Sequence, residues 1–140
     1  THLAITELWT YNFPLSITDR NKLVRDLQVI EPLNIQAKLN LTGNAKELWI
    51  AGIRDIKTQS EDLKSILTKA KVDRDTELVD LIQNAIKSTD NFVKWLQEEA
   101  KVKTGSSGIG KENYTWYQQN VHLVPLTWEE EVMILKRELE

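Results

Sequence analysis

The chain has 140 residues, of which 41% are apolar and 28% charged, a composition within the range of an ordinary globular domain. Its 18 basic and 21 acidic residues leave a formal charge of −3, with no long run of one sign, which argues against nucleic acid as a partner. Cysteine is absent, so disulfides, thiolate metal sites and cysteine nucleophiles are excluded. The longest apolar runs are a few residues, against the ~20 that a membrane span needs.

In chain order, Thr1–Tyr11 reads as a short helical stretch ended by Asn12-Phe13-Pro14. Thr18 or Asp19 is the expected cap of a helix carrying Leu23, Leu27 and Ile30 at helical spacing. Pro32 should kink or restart that helix, which continues to Leu41 before Thr42-Gly43-Asn44 punctuates it. A long apolar stripe follows at three- and four-residue spacing, from Leu48, Trp49 and Gly52 through Ile56 and Leu63 to Ala70. Asp73 is the expected cap of a second long stripe, Leu78 to Ala100. Two stripes of this length, joined by a short connection, pack most simply as an antiparallel helical hairpin. Lys103–Gly110 reads as a loop in which Gly108 and Gly110 take positive φ, and a shorter helix covers Glu112–Val121. Thr127 with Glu130 three residues on predicts a capped last helix, whose acidic first turn suits the helix dipole. No segment shows the alternation of a strand. The expected fold class is therefore all-α: an antiparallel helical bundle with two long central helices and shorter flanking helices. Residues 1–140 are expected to form a single helical region. Both ends look cut, the last within a helical pattern, so the chain reads as a fragment of a larger helical protein.

Gly105-Ser-Ser-Gly-Ile-Gly110-Lys111 matches the G-x-x-x-x-G-K part of a phosphate-binding loop. Glu112 stands where a hydroxyl should hold magnesium, and a charged helix end precedes the loop instead of a buried strand. A helix–helix connection is the better account. His2 and His122 are the two histidines, and neither has a ligand partner at zinc spacing; no metal site and no catalytic set is expected within the chain. Tyr114, Trp116, Tyr117 and Trp128 form an aromatic-rich stretch, with Tyr114 and Tyr117 on one helix face. Core packing is the favoured role, and a wall of a peptide groove is the sharper one.

The run Gly108–Tyr117 followed by Asn120–Glu131 resembles a stretch of a large bacterial family, DUF-885, whose members are similar to gluzincin-type zinc metallopeptidases. That match covers about a quarter of the chain. The family's His-Glu-x-x-Pro-Gly-His motif is absent from these residues and lies further toward the carboxyl end. The resemblance thus implies a non-catalytic helical portion of a hydrolase, with zinc held elsewhere in the parent protein. It further implies the rest of the parent chain as partner, a peptide as substrate, and a secreted or cell-envelope location. On this reading Gly108, Gly110, Tyr114, Trp116 and Tyr117 border the parent's substrate groove. The alternative is a helical protein-interaction module with no enzymatic role, using the exposed aromatics near Trp116 and Trp128.

Overall fold

The computed structural model describes residues 8–140; the expectations for residues 1–7, His2 included, lie outside them. It is all-α, as the periodicity predicts, with no strand among the described residues. Within them a 3-10 turn, Leu8–Thr10, precedes six helices: α1 (Ile17–Gln28), α2 (Ile30–Asn40), α3 (Lys46–Val72), α4 (Thr76–Ala100), α5 (Lys111–Asn120) and α6 (Trp128–Leu139). The chain divides into two compact units, the first running to Ser106 and the second covering Ser107–Glu140.

The first unit is a bundle built on the antiparallel pair α3–α4, against which α1 and α2 pack. Ser16, rather than Thr18 or Asp19, caps α1: its Oγ accepts from the Asp19 N–H at 3.1 Å. The break between α1 and α2 falls at Val29, ahead of Pro32. Proline has no N–H to donate to the carbonyl four residues back, so the ladder fails at Gln28, where α1 ends. Within α2, Pro32 stands in the first turn, where N–H groups lack helical partners in any case. The α3–α4 turn also shifts the expected cap: Asp75, not Asp73, accepts the Leu78 N–H at 3.1 Å. Arg74 takes the left-handed conformation (φ 56°) that more often falls to glycine, with its N–H on the Lys71 carbonyl.

Two apolar clusters fill this unit. The larger joins Leu23, Leu27 and Ile30 to Leu63, Ile66, Leu78 and Ile82 near the hairpin turn. The smaller, at the other end, is made of Trp49, Ile56, Phe92, Val93 and Leu96. Between them lies a buried polar layer: Gln59 donates to Thr89 (3.2 Å), Ser60 to Asp90 (2.6 Å) and Asn34 to Ser88 (3.1 Å). An isolated parallel bridge between Ala45 and Gly105 fastens the end of the unit. The Gly105 N–H donates to the Asn44 carbonyl at 2.9 Å, and a Cβ on Gly105 would stand 2.8 Å from that oxygen. Glycine is required by the approach of the two backbones, which separates Gly105 from any phosphate-loop role.

The second unit is the pair α5–α6. Gly110, at φ 83°, leads into α5, and the capping box expected at Thr127 and Glu130 opens α6. The Trp128 N–H donates to Thr115 Oγ1 at 3.2 Å, tying the start of α6 to α5.

Candidate functional site

A cleft of about 520 Å³ opens in the first unit between α2, α3 and the 42–45 loop, floored by α4. The helical repeat builds its walls: Ala37 and Leu41 from α2 and the loop that follows it, Trp49, Gly52 and Ile56 from α3, Phe92 and Leu96 from α4. Asn40 and Asp55 supply the polar groups among the lining residues. Leu41 and Leu48, at its rim, are 43% and 64% exposed. Trp49 is fixed from behind. Its Nε1–H donates to the Gly43 carbonyl at 2.9 Å, its ring lies 5.7 Å from that of Trp95, and the Lys103 ammonium stands 4.4 Å from its centroid. Phe92 stacks on Trp95 at 5.8 Å. These contacts hold Trp49 and Phe92 in place, and the cleft's volume falls within the range of small-molecule pockets.

Gly52 is the informative residue of the cleft. A glycine inside a helix costs roughly 0.5–1 kcal/mol relative to alanine. Close packing often explains such a glycine, but nothing lies within 4 Å of where a Cβ on Gly52 would be. What its bare backbone does is keep the cleft deep.

In the second unit the structure separates the aromatic residues that the sequence had grouped. Positions 112, 115, 116 and 119 share one face of α5 and, with Trp128 and Lys111, line a shallow pocket of about 440 Å³. Tyr114 and Tyr117 point to the opposite side. The Tyr114 hydroxyl donates to Glu131 at 2.6 Å and accepts from Gln118, while the Tyr117 ring meets that of His122 edge-on at 5.0 Å. Gly108 and Gly110 precede α5, in the loop and at its cap. Core packing, the favoured role for these aromatics, is overturned: Tyr114, Trp116 and Tyr117 are 37%, 60% and 45% exposed, and neither α5 nor α6 has a buried residue.

Comparison of the chain with protein-family models, curated proteins and solved structures returned no match.

Electrostatics outside these concavities is concentrated where α1 meets the start of α4. Arg20 bonds Asp75 twice, at 2.6 and 3.0 Å, and Glu77 at 2.8 Å. The guanidinium holds the Asp75 carboxyl below its usual range, helped by the Leu78 N–H and opposed by burial. Among the described residues no group of three or more acidic or histidine side chains could hold a metal ion, and no helix is long and apolar enough to cross a membrane. The α2–α3–α4 cleft escaped the sequence reading. Its signal was present, in a glycine within an apolar stripe and in Leu48, one apolar position more than the buried face uses.

Proposed function

We propose that this chain is a helical protein-interaction module whose α2–α3–α4 cleft takes apolar side chains from a partner polypeptide. The open space over Gly52 carries this reading. A mid-helix glycine that relieves no clash, in a cleft backed by a hydrogen-bonded tryptophan, is a stability cost that an occupant offsets. The exposed leucines at the rim extend the apolar surface beyond what a small enclosed ligand would cover, and apolar anchors entering such grooves are a recurrent mode of peptide recognition. Gly52→Leu tests it, because a Cβ at position 52 meets no neighbour and the longer side chain takes up space in the cleft that Gly52 lines. Peptides selected from a random displayed library on the wild-type chain should bind the variant at least tenfold more weakly, about 1.4 kcal/mol. Circular dichroism should show an equal or higher melting temperature for the variant. Equal binding to both proteins would end the proposal.

The metallopeptidase-like parent is a second reading, supported by the resemblance over Gly108–Glu131. On this reading zinc belongs to the rest of the parent protein, and Gly108, Gly110, Tyr114, Trp116 and Tyr117 would border its peptide groove. The two faces of α5 then make different contributions: Trp116 lines the pocket, whereas Tyr114 and Tyr117 stand away from it. A His-Glu-x-x-Pro-Gly-His motif further along the reading frame would support this reading, and a frame without one would end it.

A further inference from the structure

Lys111, the residue that completed the phosphate-loop match, places its ammonium 3.7 Å from the centroid of the Trp128 ring. That is well inside the about 6 Å over which an indole face attracts a cation. The pocket around this contact has a second indole, Trp116, which is 60% exposed, and two carboxylates, Glu112 and Glu129. With Lys111 as the basic group among the lining residues, the formal charge of the lining is 1 − 2 = −1. Two aromatic walls and an excess of negative charge describe a cation site, here filled by the protein's own side chain.

We propose that the α5–α6 pocket binds a trimethylammonium group, and that Lys111 holds the place until such a group displaces it. A primary ammonium is strongly hydrated and gives up water reluctantly. A trimethylammonium carries its charge on methyl groups that lose little hydration and pack well on indole faces, so it outcompetes Lys111 for the Trp128 face in a pocket that Trp116 also lines. The displaced lysine swings to solvent on its four-carbon stem, and Lys111 thereby sets the affinity. The site lies within the second unit and does not depend on the function proposed for the α2–α3–α4 cleft.

The test uses the full chain, labelled with ¹⁵N, with the indole N–H signals of Trp116 and Trp128 assigned from Trp→Phe variants. Choline should shift those two signals saturably, whereas 3,3-dimethylbutanol, its uncharged isostere, should not. Lys111→Ser should tighten choline binding about three- to fivefold, the worth of one exposed cation–π contact. Glu129→Gln should weaken it. A neutral peptide bearing trimethyl-lysine, run beside choline, identifies the source of the group by whichever binds more tightly. Equal shifts from choline and the isostere, or a Lys111→Ser variant with unchanged affinity, would overturn the proposal.

Discussion

Gln59 is 3% exposed and Asn34 likewise, and each keeps one side-chain oxygen with no hydrogen-bond partner. A buried acceptor left unpaired costs about 1–3 kcal/mol, more than the single hydrogen bond each amide nitrogen makes contributes. Gln59→Leu keeps most of the side-chain volume and removes the unpaired oxygen, while the Thr89 hydroxyl can turn to a carbonyl of its own helix. The urea midpoint of that variant should match or exceed that of the wild type. Gln59→Ala, which opens a cavity, should lower stability by ~1–3 kcal/mol. Equal losses in both variants would show that the polar layer itself stabilises the bundle. The layer was legible in the sequence, though only in hindsight. The α3 stripe has no apolar residue between Ile56 and Leu63, and the α4 stripe none between Ile86 and Phe92. Gln59 and Thr89 each lie 15 positions from Arg74, since 74 − 59 = 89 − 74, so folding the chain at Arg74 brings the two gaps together.

At the scale of elements, the periodicity placed the helices well and the punctuation less well. Apolar spacing reports burial over many residues, whereas a cap depends on one side chain reaching one N–H. Thr127 was recognisable because Glu130 reciprocates. Asp73 and Asp75 are chemically alike, and what selects Asp75 is the left-handed Arg74, which no glycine advertises. Asp75 also joins α1 to α4 through Arg20, which gives the pairing a pH dependence. The folded state holds the Asp75 carboxyl below its ordinary value of about 3.9. The stabilisation is thus present above that value and lost as pH falls through the lowered one. Arg20 shifts the other way, upward, through its bonds to Asp75 and then Glu77. Its contribution is complete below the ordinary guanidinium range and adds no slope at working pH. Arg20→Met should therefore lower the melting temperature at pH 7 and flatten the fall in melting temperature between about pH 5 and pH 2. Identical acid profiles for both proteins would refute this role.

Over the whole molecule, the all-α class and the central hairpin followed chiefly from the two long stripes, which bury much of their surface against each other and the rest against α1 and α2. The aromatic segment misled for a reason of scale. Aromatic residues dominate cores where there is an interior to enter, and the second unit has two short helices and 34 residues, too few to enclose one. Trp116 stays on the surface, and the residues expected to form one groove wall divide between two faces of α5.

The polar layer has a mechanical consequence for the central hairpin. It parts a cluster of eleven buried residues by the Arg74 turn from one of five behind the cleft, with no continuous apolar seam between them. Regions with fewer buried apolar contacts open at lower free energy than the core they adjoin. By that rule the bundle resembles a clothes-peg with its spring at the turn: amide hydrogens at the Trp49–Leu96 end should exchange faster than those beside Arg74.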